Sequence, residues 1–317
     1  MSPRVCAVIL NYNGKEKLDA FLKSFPKTDY PDYKVVVVDN GSTDGSEKMV
    51  RESYPWADLL RLEENRGFSG GNNDGIRYAF GKYAPAYVIL LNNDMEVCDR
   101  NWMGEMIRAA EATPGAGVIG CKLLSDGNRI QHAGGKFSLS RESFHPAEGE
   151  PDDGSHDLVH DADYITGACL MISRAALLKA GLLDERYNPI YFEDAEYCCR
   201  ARRAGFRIIY DGKASLMHYH DRGRTPQAVL WRQMGYYSGW TKNRIRFVLL
   251  NLPPWWLPIL IPRIFAVAVI GRDEQGRLGI MPSPLARLGV VFSGILSALG
   301  GRPPVFRPLE APPAKEF

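Results

Sequence analysis

Short, unbroken apolar runs alternate with segments of helical periodicity through the first third of this 317-residue chain. VCAVIL (Val5 to Leu10), KVVVVDNGS (Lys34 to Ser42) and AYVILL (Ala86 to Leu91) are typical of strands buried on both faces of a parallel sheet. Between the first two, residues 15–25 place apolar side chains at helical spacing. The pattern predicts an α/β fold: a Rossmann-like, mostly parallel central sheet with right-handed crossovers and helices on both faces.

The pattern becomes less regular after Leu91, and we expect the domain to extend over residues 1–225. Its polar, Gly- and acid-rich stretch at residues 141–161 predicts a mobile loop or hairpin. The other expected elements are a helix at residues 102–112, a strand at GVIGCKLL, a strand and helix in DYITGACLMISRAALLKAG, a helix in FEDAEYCCRARRAG, and two strands, FRIIYD and KASLMHYH.

Prolines and tryptophans mark the C-terminal region, which we divide into a helical extension (226–302) and a flexible tail (303–317). Four prolines and Arg263 interrupt LPPWWLPILIPRIFAVAVIG, so it does not suit a membrane-spanning helix. Trp255 and Trp256, preceded by a basic helix, suit a surface at the level of lipid headgroups. A buried helical subdomain or a dimer contact explains them equally well.

The composition of the chain indicates which partners and which cellular compartment to expect. Lys and Arg number 39 against 37 Asp and Glu, a net charge of +2, which gives no global electrostatic case for nucleic acid as a partner. The six cysteines include no C-x-x-C pair and favour reduced thiols. The opening apolar run is too short for the core of a signal peptide, which predicts a cytoplasmic protein, peripheral on the inner face of the cytoplasmic membrane if its tryptophans meet lipid.

Polar residues follow each predicted strand of the first half, where ligands of open parallel sheets bind. A cap or turn explains any one of them, but four such strand ends favour a polar ligand across the sheet edge. No G-x-G-x-x-G follows the first strand and no G-x-x-x-x-G-K-[ST] occurs, which argues against dinucleotide oxidoreductases and P-loop nucleoside triphosphatases. The residues are Asn11, Tyr12, Asn13, Asp39, Asn40, Ser42, Glu64, Asn65, Arg66, Asn92, Asn93 and Asp94.

A metal site is one interpretation of the last of these strand ends. Asp94, after the apolar run, offers hard oxygen ligands for Mg²⁺ or Mn²⁺ on a diphosphate, and an Asx turn explains it equally well. His218 and His220 alternate on one strand face, where an imidazole either joins a carboxylate on a metal or has a structural role.

Three acids open the predicted helix in FEDAEYCCRARRAG. Glu193, Asp194 and Glu196 lie in its first turn, where negative charge complements the helix dipole. A carboxylate beside aromatic residues is also suited to act as the general base for an acceptor hydroxyl.

The order and spacing of these motifs resemble a known family. The motifs are VILNYNG, VVDNGSTDGS, ENRGFSGGNNDGI, LLNNDMEV, YITGACLMISR, GLLDERY with YFEDAEYCCR, and SLMHYH. Over roughly residues 4–225 they resemble bacterial family 2 glycosyltransferases of the GT-A fold, most of all the rhamnosyltransferase-like branch that builds cell-surface polysaccharides. The resemblance implies sugar transfer from a nucleoside-diphosphate donor, a dTDP- or UDP-sugar such as dTDP-rhamnose, to a lipid-linked or growing glycan.

The resemblance also implies roles at the donor. Asp94 matches the last acid of a D-x-D motif that holds Mn²⁺ or Mg²⁺, and His218 matches a histidine that completes the metal site. Asn92 stands where many members have the first Asp, which leaves one fewer negative charge. The positions matched to nucleotide binding are Asn11, Tyr12, Asp39 and Asn65.

At the acceptor, the resemblance implies that Asp194 is the catalytic base of an inverting, single in-line displacement. Glu193 would hold orientation, and Thr166 and Gly167 would shape the acceptor side. Two rivals stay open. A nucleotidyltransferase would normally show a Gly-rich basic loop that NYNGKEK lacks, and a non-catalytic glycan-binding scaffold would be free to lose the acids and the histidine.

Overall fold

The computed structural model describes residues 2–140, 142–219 and 226–270, with six separate positions between 285 and 296. For residues 142, 226–238 and 267–270 it describes the backbone alone. His220 and residues 303–317, predicted as a flexible tail, lie outside the described residues.

Strands and helices alternate through the first half of the chain, as its apolar pattern predicts. The strands are β1 (Val5–Asn11), β2 (Tyr33–Asn40), β3 (Asp58–Leu62), β4 (Tyr87–Asn92), β5 (Met95–Glu96), β6 (Ala116–Ser125), β7 (Arg129–His132), β8 (Lys136–Ser138), β9 (Glu142–Phe144), β10 (Val159–Asp161), β11 (Cys169–Ser173) and β12 (Arg207–His218). The helices are α1 (Lys15–Ser24), α2 (Ser46–Ser53), α3 (Gly67–Tyr83), α4 (Trp102–Ala112), α5 (Arg174–Ala180), α6 (Glu193–Arg203), α7 (Pro226–Asn251) and α8 (Leu257–Ile270).

One large sheet organises the domain, in the order β10-β12-β6-β11-β4-β1-β2-β3. The pairs β1–β2, β1–β4, β2–β3 and β6–β12 are parallel, whereas β11 runs antiparallel to both β4 and β6. Strand β5 pairs with β12, β7 pairs with β6, and β8 and β9 form a separate hairpin. The predicted α/β class is confirmed. The sheet is mixed rather than mostly parallel, because β10–β12, β5–β12 and β6–β7 are antiparallel as well, which gives five antiparallel and four parallel pairs in the described part of this sheet.

Successive side chains of the central strands enter two different cores. Val8 belongs to one core together with Val38 and residues of α3, α5 and α6, whereas Ile9 belongs to another together with Val37 and residues of α1, α2 and α4. Because both faces of the sheet are covered, both sets of side chains must be apolar. This explains why the runs lack an apolar–polar alternation.

Helix α7 packs onto the sheet domain. Ile245, Phe247 and Val248 are fully buried in the core that contains α3 and α6. The Phe247 ring lies 5.4 Å from the rings of both Phe137 and Phe192. The described part of the predicted extension therefore shares its core with the domain before it.

The prediction of two strands in FRIIYD and KASLMHYH is wrong, because both segments belong to β12. The register of β12 against β6 shifts between Asp211 and Ser215, where the Asp211 carboxylate accepts a hydrogen bond from the Lys213 amide at 3.0 Å. Gly212 interrupts the apolar pattern there without ending the strand.

The acid-rich stretch near residues 141–161 contributes β9 and β10 and is tied to the sheet. Lys122 of β6, a buried side chain, donates to Asp152 at 2.7 Å and also to Asp157.

All six cysteines lie in the described part of the chain, and none forms a disulfide. Among the described residues, no helix combines the length and apolar character needed to cross a bilayer.

Candidate active site

Asn11, at the end of β1, lies inside the carboxyl edge of the sheet. Its side chain is fully buried, and its amide donates to Ser46 Oγ at 3.0 Å and to Ser42 Oγ at 3.3 Å. Its oxygen accepts a hydrogen bond from the Asn93 amide at 2.6 Å. Asn11 therefore joins the ends of β1 and β4 to the loop after β2.

Asp39, at the end of β2, is also held by several donors. Its Oδ1 accepts from the Ser42 amide at 2.8 Å and from Arg61 at 2.9 Å, and its Oδ2 accepts from Ser46 Oγ at 2.9 Å. The carboxylate is 1% exposed, whereas the Arg61 side chain is 31% exposed. Sequence reasoning missed Arg61, although a lone arginine between two leucines of a strand is a signal that a buried acid pairs with it.

An open cleft lies beside the start of α3. Its volume is about 360 Å³, and it is lined by Asn65, Gly67, Asn188 and Pro189. The Asn65 oxygen accepts from the Gly67 amide at 2.8 Å and from the Asn40 amide at 3.0 Å, which closes the turn into the helix. Tyr12, which follows β1, is half exposed.

Asp94 and His218 meet at the junction of β4, β5 and β12. His218 Nε2 lies 3.1 Å from Asp94 Oδ1, and Lys17 Nζ lies 3.6 Å from Asp94 Oδ2. Met95 and His218 are paired across β5 and β12, which fixes this approach. Burial alone raises the pKa of Asp94, but the hydrogen bond from His218 and the charges of His218 and Lys17 together hold it below its usual value.

The chemistry of this pair is compatible with a divalent cation, because a carboxylate and an imidazole are both metal ligands. Their 3.1 Å separation is that of a direct hydrogen bond and does not by itself indicate a metal. No group of three or more His, Cys, Asp or Glu side chains suited to a metal occurs among the described residues. Mg²⁺ is commonly held by one or two protein groups together with substrate phosphates, so a two-residue set suits an ion that arrives with a diphosphate.

Gln131 and Asn92 flank the histidine. The Gln131 Oε1 atom lies 2.6 Å from His218 Nδ1, and the Asn92 amide nitrogen lies 3.3 Å from His218 Nε2. When Nδ1–H donates to Gln131, loss of the Nε2 proton that bonds to Asp94 would leave Nε2 free to bind a metal, and such support of the other ring nitrogen is usual for metal-binding histidines. Sequence reasoning missed Gln131, since a glutamine in a short strand carries no signal of its own.

A three-residue turn joins the Asp94 region to the acids of α6. The backbone N–H of Asn92 donates to the carbonyl of Ala168 at 3.1 Å, and the backbone N–H of Gly167 donates to Asp194 Oδ2 at 2.8 Å. A Cβ atom at Gly167 would lie 2.9 Å from the Phe68 ring, so glycine allows this close approach. Thr166 lies in the same turn, and its hydroxyl is 3.5 Å from the Ala168 amide.

The first turn of α6 places two carboxyl groups in a site that disfavours ionisation. Burial raises the pKa of Asp194, although hydrogen bonds from the Gly167 and Ala195 amides oppose this shift. Burial, followed by the charge of Asp194, raises the pKa of Glu193 well above its usual value. Glu193 is 3% exposed, and its Oε2 atom has no hydrogen-bond partner among the described residues. Glu196, by contrast, pairs with Arg200 at 2.7 Å.

The predicted site residues thus fall into linked groups along one edge of the sheet. Hydrogen bonds connect Asn11 through Asn93 to the strand end that carries Asp94, and Asn92 through the 166–168 turn to Asp194. A raised carboxyl pKa in such a setting is a property of general bases.

Comparison with known proteins places the chain in a family. The model of the family described as "Glycosyl transferase family 2" matches residues 6–180 of the chain. The chain belongs to glycosyl transferase family 2. The resemblance inferred from its motifs is confirmed at the level of the family.

The curated relatives of this family 2 member include an O-antigen biosynthesis protein and a rhamnosyltransferase. It is 27% identical over 252 residues to the O-antigen biosynthesis protein RfbC of Myxococcus xanthus, an alignment that covers 75% of this chain and 19% of RfbC. It is 26% identical over 277 residues to the N-acetylglucosaminyl-diphospho-decaprenol L-rhamnosyltransferase of Mycobacterium tuberculosis, covering 76% of this chain and 88% of that protein. The chain spans only about a fifth of RfbC, the first of these relatives.

A solved structure supports the GT-A fold. The mannosyltransferase PcManGT from Pyrobaculum calidifontis, in complex with GDP-Man and Mn²⁺, superposes with a TM-score of 0.55 at 17% identity. The superposition covers 96% of this chain and 77% of that protein. The predicted GT-A fold is confirmed.

Proposed function

We propose that this family 2 glycosyltransferase transfers a sugar, with inversion, from a nucleoside-diphosphate donor to a hydroxyl of a lipid-linked or growing cell-surface glycan. Asp194 acts as the base, and Asp94 and His218 are the residues that would hold Mn²⁺ or Mg²⁺ for the donor diphosphate. The observation that carries the proposal is the hydrogen-bonded link from Asn92 through the 166–168 turn to Asp194. It connects the turn that holds the partly buried Asp194 carboxylate to the strand end that precedes Asp94.

The chain's own residues account for the proton transfer. Asp194 is held by two backbone amides, so its orientation toward an acceptor hydroxyl is set before substrate binds. Its raised pKa strengthens it as a base. The proton of the attacking hydroxyl passes to Asp194 as that oxygen bonds to the anomeric carbon and the nucleoside diphosphate leaves. Glu193 orients the site, and Thr166 and Gly167 shape its acceptor side.

At the donor end, a bound Mn²⁺ or Mg²⁺ would supply positive charge for the departing diphosphate. Asp94 and His218 would hold the ion, with His218 fixed by Gln131. Asp39 would contact the base, with Tyr12 and Asn65 on the open side and Asn11 beneath them. Because three donors already hold Asp39, we expect it to act together with the more exposed Arg61.

A donor screen tests this function. Release of nucleoside diphosphate would be measured from UDP-, dTDP- and GDP-sugars, dTDP-rhamnose among them, with Mn²⁺, Mg²⁺ or EDTA. We expect metal-dependent turnover of one dTDP- or UDP-sugar, and a lipid-diphosphate glycan acceptor to accelerate it. Absence of both turnover and calorimetric binding across the panel would contradict the proposal and favour a non-catalytic scaffold.

We further propose that the enzyme works at the inner face of the cytoplasmic membrane, with α8 and the turn before it in contact with lipid. Trp255 is 74% exposed, and Leu250 and Ile259 are each about half exposed on neighbouring turns. Tryptophan and aliphatic side chains at a helix end suit the headgroup region.

In flotation with anionic liposomes we expect the protein to rise with lipid and Trp255→Ala to reduce the bound fraction. Trp56→Ala, at another exposed tryptophan, is the control, and a wild-type protein that stays at the bottom refutes the contact.

A further inference from the structure

We infer that Asn243 of α7 is a positioning residue for the catalytic base, because its side chain holds the loop that leads into Asp194. The loop comprises residues 187–192 and is called here the 187–192 loop. The inference rests on the proposed role of Asp194 and adds a residue far from the acids in sequence.

Three carbonyl groups of the 187–192 loop converge on one amide. Asn243 Nδ2 lies within hydrogen-bond distance of the carbonyl oxygens of Tyr187 at 2.5 Å, Ile190 at 3.0 Å and Tyr191 at 3.1 Å, so its two N–H groups are shared among three acceptors. The Asn243 side chain is fully buried. Its nitrogen must face the loop, because an oxygen there would oppose three carbonyl oxygens. The adjoining Lys242 donates to the Asn188 carbonyl at 3.0 Å.

The loop needs such support because its last residues have an unfavourable backbone conformation. Tyr191 and Phe192 have φ angles of 85° and 70°, in the left-handed region that non-glycine residues rarely adopt. Two such residues in succession persist only where the surroundings fix them. Phe192 directly precedes the first turn of α6, so this conformation sets where α6 begins and therefore where Asp194 lies.

The same loop also forms one wall of the cleft. Asn188 and Pro189 line it opposite Asn65 and Gly67, and the Pro189 carbonyl accepts a hydrogen bond from the Phe68 amide at 2.9 Å. One buried amide therefore fixes both a cleft wall and the start of the helix that carries the base. A displacement of the base by about 1 Å is enough to cost about a hundredfold in rate.

The test compares Asn243→Ala with Asn251→Ala. Asn251 lies on the same helix and contacts Tyr187 through its hydroxyl at 3.5 Å and Arg203 at 2.7 Å, but it does not hold the loop backbone. Hydrogen–deuterium exchange of the ligand-free full chain would be followed in peptides covering residues 187–196. We expect at least about tenfold faster exchange there in Asn243→Ala and wild-type exchange in Asn251→Ala.

Turnover provides the second measurement, with the donor panel described above. We expect Asn243→Ala to lower turnover by about 10- to 100-fold and to move its acid limb to lower pH, because Asp194 gains water. Glu193 and Cys198 of α6 and Tyr164 before β11 are the titratable groups that interact electrostatically with Asp194. Neither variant is altered at these groups.

The outcomes separate this inference from the proposed function. Unchanged exchange in the 187–196 peptides of a folded Asn243→Ala overturns the inference, whatever the activity. Faster exchange in a protein that turns over no donor supports the loop contact and counts against the transferase proposal. If Asn243→Ala does not fold, Asn243→Ser, which keeps one hydroxyl donor, and Lys242→Met are measured in the same way and judged by the same criteria.

Discussion

Replacing Asp194 by asparagine is expected to lower sugar transfer by about 10³-fold, within the range that a positioned base contributes. Asparagine has the same shape and its oxygen keeps one of the two backbone hydrogen bonds, while its NH2 group faces the second backbone N–H. It cannot take a proton from the acceptor. We therefore expect donor affinity, measured by calorimetry, to stay within about twofold of wild type. Turnover with donor and acceptor is the decisive measurement.

Glu196→Gln is the matched control for the Asp194 variant. It removes one negative charge from the same helical turn and breaks the pair with Arg200. If the acids of α6 only complemented the helix dipole, both variants would lower the melting temperature and neither would selectively abolish transfer. Retention of more than about a tenth of the turnover in a folded Asp194→Asn protein would rule out this residue as the base.

The pH dependence of turnover in the wild-type enzyme should also indicate that Asp194 is the base. Asp194 accepts a proton only when it is ionised, and burial raises its pKa above the usual aspartate value. Turnover should therefore fall as the pH drops through this raised pKa, at a higher pH than for an exposed aspartate. The acid limb of the rate profile measures it, and its absence in Asp194→Asn would link the limb to this carboxylate.

Asp94→Ala is expected to weaken Mn²⁺ binding by at least about 10²-fold, which is the upper end of the cost of losing a supporting residue around a metal. The variant leaves His218 without its acidic partner, and turnover should fall in parallel. Titration of the purified protein with Mn²⁺, followed by electron paramagnetic resonance, measures the affinity without any turnover.

Two further variants test whether the loss of Mn²⁺ affinity is specific to this strand end. Asn92→Asp restores a second acid beside His218 and should tighten Mn²⁺ binding, because it adds a negative charge close to the ion. Asp99→Ala removes an acid whose carboxylate accepts from the Asn101 amide, and it should leave the affinity unchanged. Equal Mn²⁺ affinity in wild type, Asp94→Ala and Asn92→Asp would refute a metal site at this strand end.

The sequence was sufficient to predict the strands of the parallel half of the sheet and the edge at which polar residues gather. The β1 and β2 runs are apolar without alternation because both of their faces are covered, and this leaves a direct trace in the residue pattern. The antiparallel direction of β11 left no such trace, since a buried strand has the same composition in either direction.

Contacts across long sequence separations were harder to predict. The approach of Asp94 to His218 was inferred by resemblance, because 124 residues separate the two and no local periodicity relates them. Arg61 pairs with Asp39, and Gln131 bonds to a ring nitrogen of His218. Asn243 bonds to backbone carbonyl groups that include that of Tyr187. Only the assembled fold brings these partners together. The buried, bracing position of Asn11 was equally hidden, since a strand-end asparagine has the same signature whether it faces solvent or the interior.

The pairing of β5 with β12 also has a consequence for synthesis. A nascent chain that has emerged as far as β11 carries Asp94 but not His218, and one that has emerged as far as α6 carries Asp194 but not Asn243. Domains fold as units while the ribosome is still adding residues, and this unit lacks part of its site until β12 and α7 are available. The sugar transfer proposed for the site would therefore arise only after α7 has left the exit tunnel.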